Sequence, residues 1–350
     1  MLQLATILHS IAGFSITIAH AHFNSPDPSN HPNFSFLPLF YESLVGQIER
    51  AITNHEKIAC VIYDGLMYSI DSVARELQLP SIVLRTTSAT NLLTYHAFVQ
   101  RQSKGFLPLQ DFMSLDLVPE LEPLRFKDLP MFNSGVMQQQ IAKTIAVKPS
   151  LGVICNTVDC LEEESLHRLH RMYEVSFFPI GPLRMIAEEY SSYSSFLDED
   201  YSCIGWLNNQ QRKSVLYSGN RRKGYIVKWA PQGEVLAHQA VGGFWSHCGW
   251  NSTLESLCEG VPIMCQPHFG DQRVNARLLS HAWKVGIEWS YVMERDEIEE
   301  AVRRLMVNQE GMEMRQRALK LKNEIRLAVK GGSSYDALNR LVKSILSANL

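Results

Sequence analysis

Four residues around one turn could hold an anion. His247, Gly249, Asn251 and Ser252 fall within VGGFWSHCGWNS, where a short apolar run gives way to a glycine turn and then to residues of helical character. The apolar run reads as a buried strand whose C-terminal end carries His247. Residues 253–259 read as a helix with Asn251 or Ser252 as N-cap, and Ser252 and Glu255 have capping-box spacing. Gly260 suits the helix C-terminus, and 261–265 the next buried strand. That order places free backbone N–H groups and the positive end of a helix dipole at the mouth of a parallel sheet, where phosphate is stabilised. Gly249 has no Cβ to keep an anion from the backbone. Such turns are common in α/β proteins, so the turn alone is a weak signal. It gains weight from the tryptophans, the histidine and the polar GDQ ending packed into residues 229–272.

The elements around this stretch belong to a chain of 350 residues, 45% hydrophobic and 20% charged. That suffices for a sizeable core in one large or two medium domains. The net charge is −3, and the only compact basic run is Arg221-Arg222-Lys223, which argues against a nucleic-acid partner. Seven cysteines are scattered without a CxxC pair. Several sit in apolar runs, as small hydrophobes do, and a reducing, cytoplasmic setting fits them best. His247-Cys248 has no second ligand pair at usable spacing, so no metal site is expected. The apolar N-terminus ends in AHA but has no Lys or Arg before Arg50, so it lacks the basic region of a signal peptide. Gln3, His9, Ser10 and Gly13 interrupt it, which argues against membrane insertion. Residues 2–11 read as a helix stopped by Gly13, and 14–18 as a strand.

The rest of the first half alternates strand and helix. Strands are expected at 34–37, 58–63, 81–84 and 152–156, and helices at 40–54, 69–77, 89–100 and 160–172. Buried strands alternating with helices make a parallel sheet. Residues 103–135 lose the rhythm and read as loop. The run Glu162-Glu163-Glu164 falls in a helix's first turn and reads as solvated, dipole-favourable acids. The Ser/Tyr-rich 190–196 has linker composition. In the second half 214–217 and 286–289 read as strands, and 274–281, 295–306, 311–330 and 333–346 as helices.

The stretch 229–272 resembles the signature box of plant UDP-dependent glycosyltransferases that act on small molecules. WAPQ opens it, HCGWNS stands in the middle, Glu255 follows, and DQ closes it, with no insertion. The resemblance implies a GT-B fold: two Rossmann-like α/β domains facing across a cleft. It divides the chain into an acceptor domain at 1–183, a linker at 184–200 and a nucleotide-sugar domain at 201–350, with the last helix crossing back. It implies transfer of glucose from UDP-glucose to a hydroxyl or carboxyl of a plant metabolite such as a flavonoid or terpenoid, with inversion. UDP-glucose is then a co-substrate and no cofactor is needed; the partners are small molecules, and the chain is expected to be a monomer.

The resemblance also assigns roles. Trp229 stacks on uracil, and Ala230 and Gln232 contact base and ribose. Glu255 accepts from ribose hydroxyls, a role that competes with capping. His247, Gly249, Asn251 and Ser252 meet the diphosphate; Trp250, Asp271 and Gln272 contact the sugar. Thr87 and Asn91 lie in a segment resembling an acceptor-contacting region. Deprotonating the acceptor needs a general base. The family uses a histidine from a motif after its first strand, oriented by an aspartate that Asp64 matches. Met1-Leu2-Gln3-Leu4 resembles the residues following that motif, so the first strand and its histidine are expected to be absent. His20 and His22 are the nearest substitutes by position. Between Ser218 and Gly219, roughly 50 to 60 family residues, about one βα unit and a loop, are expected to be missing. A shorter loss is expected between Leu39 and Tyr41. Such losses would expose strand edges and open the donor cleft, so a rival reading is a non-catalytic product. A Rossmann oxidoreductase is disfavoured, because no GxGxxG follows a strand.

Overall fold

The computed structural model describes residues 1–21, 26–39, 46, 58–103, 114–130, 135–190, 199–218, 225–288 and 294–348. Helix α1 (Leu2–Ala12) ends at Gly13 in the left-handed conformation. Strand β1 (Ile16–Ala21) begins two residues later than the sequence suggests. The reason is local: His9 Nδ1 bonds the carbonyl of Phe14 at 2.9 Å, so the residues after Gly13 form a turn. β1 runs parallel to β2 (Phe34–Leu39), with Ile16 opposite Phe34. The helix expected at 40–54 lies outside the described residues except for residue 46, as does His22.

A second sheet follows. It is built from β3 (Val61–Asp64), β4 (Ser81–Arg85), β5 (Gly152–Cys155) and β6 (Phe177–Pro179), parallel and in that spatial order. Helices α2 (Ser69–Glu76), α3 (Ala89–Ser103), α4 (Gly135–Ala146) and α5 (Asp159–Met172) connect them. Every residue of β4 and β5 is buried, as expected of strands covered on both faces. β3 is only partly buried. It borders the break in the sheet, since β1 and β2 form a separate pair. The sequence reading missed α4, whose polar GVMQQQ start hides its apolar period.

The acidic run at 162–164 needs correction. Glu163 and Glu164 are exposed, but Glu162 is 4% exposed. The helix kinks at Glu162, and the carboxylate accepts four hydrogen bonds. Donors are the N–H groups of Ala89 (2.9 Å) and Thr90 (2.8 Å) and the hydroxyls of Thr90 and Thr157 (2.7 Å each). Glu162 thus supplies the negative charge at the N-terminus of α3 from a distant helix.

Helix α6 (Leu183–Glu188) follows β6, and the second half begins with α7 (Ser202–Leu207). Its sheet has the order β10-β9-β8-β7, all parallel: β7 (Val215–Ser218), β8 (Val241–Ser246), β9 (Ile263–Cys265) and β10 (Gly286–Glu288). Around it lie α8 (Gln232–Ala237), α9 (Trp250–Glu259), α10 (Gln272–Arg277), α11 (Arg295–Met306), α12 (Gln309–Val329) and α13 (Ser333–Ser347). A π-turn over Leu278–Ala282 extends α10. β8 is wholly buried, and Phe244 packs with Trp250, Leu254, Leu257 and Ile263 in one core.

Helix α13 folds back onto the first half. Leu338 and Leu341 share a core with Ile82, Leu84 and Phe178, and Ser334 Oγ donates to the carbonyl of Gly181 at 2.9 Å. The halves meet again where Arg125 donates to both oxygens of Glu288, at 2.7 and 2.8 Å. The molecule is two Rossmann-like α/β domains facing across a cleft.

Candidate functional site

The cleft has a volume of about 1750 Å³, above the few hundred to roughly 1,000 Å³ usual for one small ligand. Trp229, Ala230, Gln232, His247, Asn251, Ser252 and Glu255 all line it. Gly249, Trp250, Asp271 and Gln272 stand behind this lining, and Asp64, Thr87 and Asn91 lie outside it.

The turn after β8 leads straight into α9, but the cap of that helix differs from expectation. Helix α9 starts at Trp250 with Gly249 as N-cap and no side-chain cap. Neither Asn251 nor Ser252 is the N-cap, and Ser252 with Glu255 forms no capping box. The chain enters the helix three residues early, at Trp250 rather than Thr253, and Trp250, at 3% exposure, is buried in the first turn. The first-turn N–H groups are therefore not taken by a side-chain cap, and Ser252 and Glu255 are released for other partners. Gln232 Nε2 donates to Ser252 Oγ at 3.0 Å and to Glu255 Oε2 at 2.5 Å. Gly249 lies close under the His247 ring: a Cβ there would come 2.5 Å from His247 Nε2 and push that exposed ring aside. His247 is exposed at the strand end. Partial burial of its ring, then the charge of His268, lowers its pKa, opposed by Asp271.

Trp250 has a structural task. Its indole N–H donates to the carbonyl of Asn156 at 2.7 Å, tying the box to the end of β5. The indole is committed to that contact, so a sugar hydroxyl could meet Trp250 only through its backbone. Asn156 also holds α6, accepting from Leu183 N–H at 2.9 Å, and its Nδ2 reaches Asn251 Oδ1 at 3.4 Å. Gln272 is 5% exposed, and its Oε1 accepts from the N–H groups of His268 (2.8 Å) and Phe269 (3.1 Å), closing the loop before α10. Burial raises the Asp271 pKa, against the hydrogen bond from Asn275. Trp229 is 47% exposed and lines the cleft.

Two residues escaped the sequence reading. Asn275, wholly buried, donates to Asp271 Oδ2 at 3.0 Å and to the carbonyl of Cys248 at 2.9 Å. It joins the middle of the box to its end, and its spacing of four from Asp271 on a helix was the available signal. Arg184, on α6, lies 3.1 Å from Glu255 Oε1. Nothing in the local sequence marks it, because the pairing spans the two halves.

On the first-half side, Asp64 ends β3, and its Oδ1 accepts from Leu66 N–H in its own turn at 2.9 Å. Among the described residues it pairs with no histidine. Its charge instead acts on the Met1 α-amine, whose pKa burial lowers and Asp64 partly restores. His20 lies on β1, its ring set edge-on to Phe36 at 6.1 Å. Thr87 is half-buried. Asn91 is wholly buried in the first turn of α3; its N–H donates to Ser88 Oγ at 3.0 Å, and its Nδ2 has no partner. No group of His, Cys, Asp and Glu able to hold a metal occurs among the described residues.

Comparison with known proteins matches this arrangement. Residues 201–321 match the family model for "UDP-glucoronosyl and UDP-glucosyl transferase". A UDP-glycosyltransferase of Stevia rebaudiana, 76H1, is 38% identical over 99% of this chain and 100% of its own length. The flavonol 3-O-glucosyltransferase UGT76E12 of Arabidopsis thaliana is 37% identical over 99% of this chain and 93% of its own. The Stevia alignment runs over 428 positions against the chain's 350 residues, so that relative has internal segments without a counterpart here. Among solved structures, Phytolacca americana UGT2 complexed with UDP-2fluoro-glucose and pterostilbene superposes with a TM-score of 0.81 at 22% identity, covering 98% of this chain and 95% of that one. A UDP-glucosyltransferase from Polygonum tinctorium gives 0.81 at 20% identity, with 98% and 95% covered. The fold, the intact box and the extent of these matches together show that the chain belongs to the plant UDP-glycosyltransferases.

Proposed function

We propose that the chain takes UDP-glucose as donor and transfers glucose to a hydroxyl or carboxyl of a small plant metabolite, a flavonoid or terpenoid, with inversion at the anomeric carbon. The observation that carries this is the seat at β8, Gly249 and α9, with Gln232 and Glu255 beside it. The N-terminus of α9 faces the diphosphate and offsets the charge that grows as UDP leaves. Trp229, half-exposed at the cleft, stacks on uracil, and Glu255 accepts from the ribose. The acceptor oxygen attacks the anomeric carbon from the face opposite UDP. The bond from that carbon to the phosphate oxygen breaks, and the acceptor's proton passes to a base. UDP-glucose is a co-substrate in this reading. The seven free thiols favour a reducing cytoplasm, with the chain acting as a monomer.

A second reading is favoured by one observation: Asp64, which should orient a base, bonds its own turn beside a break in the sheet. On that reading the chain binds nucleotide sugar and transfers little glucose. Calorimetry with UDP, followed by a transfer assay from UDP-glucose to flavonol and diterpenoid acceptors, tests both. Absence of UDP binding overturns the proposal. Turnover comparable to the Stevia relative removes the second reading, and binding without turnover selects it.

A further inference from the structure

Glu255 is gripped from two sides. Its Oε2 takes the amide of Gln232 at 2.5 Å, and its Oε1 lies 3.1 Å from Arg184 Nη1. Arg184 is itself held. Its Nε donates to Glu188 Oε1 at 2.7 Å, and its guanidinium lies so close over Gly233 that a Cβ there would overlap it. The two partners are only about a quarter exposed, at 26% and 22% of their side chains. A guanidinium held in plane by a second carboxylate and a backbone face is a rigid fork, which a lysine cannot reproduce.

From this geometry we infer that Arg184 is a positioning residue for the donor's ribose: it fixes the Glu255 carboxylate so that its remaining lone pairs meet the ribose hydroxyls. The inference rests on the proposed donor site and deepens it. An ionised carboxylate has about four acceptor positions. Arg184 and Gln232 take one each, so capacity for a vicinal diol remains. Without Arg184 the carboxylate keeps only the Gln232 tether and can rotate away from the diol. The arrangement also couples the two halves. Arg184 sits one residue after Leu183, whose N–H is held by Asn156 at the end of β5. A shift of the halves therefore moves the group that aims Glu255.

The test compares UDP with 2′,3′-dideoxy-UDP by calorimetry on the full chain. In the unaltered protein UDP binds more tightly, because only it carries the diol. In Arg184→Ala that preference is expected to fall about tenfold, with dideoxy-UDP affinity nearly unchanged. Arg184→Lys should recover part of it, and it keeps the falsification open if the alanine variant folds poorly. An equal loss for both ligands would mean that Arg184 only supports the fold. An unchanged preference, or tighter UDP binding on removal of Arg184, would also overturn the inference. Failure of the unaltered chain to bind UDP would instead defeat the donor-site reading itself.

Discussion

In the second half the four strands from β10 to β7 form one sheet. In the first half β1 and β2 stand apart from β3 to β6. β7 pairs with β8 in parallel, with one register shift between Val215 and Leu216. β3, at the break, stays only partly buried, whereas its neighbour β4 is buried throughout. The difference matters for the proposed function. In that proposal the donor is held by one contiguous stretch, 229–272, whose strand, turn and helix lie side by side. The proposed acceptor chemistry instead needs groups distant in sequence, among them Asp64 at the end of β3, which borders the break in the sheet.

That contrast can be broken from either side. Glu162→Ala leaves four donors at the α3 N-terminus without their acceptor and should cost about 4 kcal/mol in urea unfolding. UDP affinity should hardly change; a parallel loss of binding would show that the halves are not separable. Gly249→Val puts a branched side chain against His247 in the anion seat. UDP affinity should then fall about a hundredfold, with little change in the unfolding midpoint. A variant that still bound UDP normally would move the diphosphate elsewhere. Trp229→Ala is milder: loss of a half-exposed stacking face should weaken UDP by about 1–3 kcal/mol. Unchanged calorimetric affinity would count against uracil stacking.

The same contrast governs what the sequence made legible. The strand at 241–246, its histidine and the box could be read because their partners are neighbours in the chain. Elements with a clear apolar period, such as α11 and α13, emerged within a residue or so of their expected bounds. Three features could not be read, each for a physical reason. Glu162 looks like its exposed neighbours until Thr90 and Thr157 are brought to it. Trp250 looks like a ligand contact until the Asn156 carbonyl arrives from the other half. Ser252 and Glu255 have the spacing of a capping box, but tertiary burial of Trp250 starts the helix earlier and overrides that local preference.

The smallest expected effect separates the halves by pH. His96, on α3, bonds the Tyr173 hydroxyl at 2.6 Å. Burial, aided by the charge of Arg85, lowers its pKa from 6.5 to about 4. The unfolded chain therefore takes up this proton first. The contribution of His96 to stability is complete above pH 6.5 and is lost as pH falls through the window down to about 4. Because the ring is partly solvated, the loss should be about 1 kcal/mol rather than the full value of the shift. His96→Gln keeps a partner for Tyr173 without a titrating group. Urea unfolding of this variant at pH 7 and pH 4.5 should show a smaller difference than the unaltered chain shows. His247, in the second half, is shifted in the same direction, so the remaining slope should respond to UDP. If His96→Gln leaves the slope intact and UDP removes it, the acid sensitivity belongs to the donor half, and the first half is more robust than its divided sheet suggests.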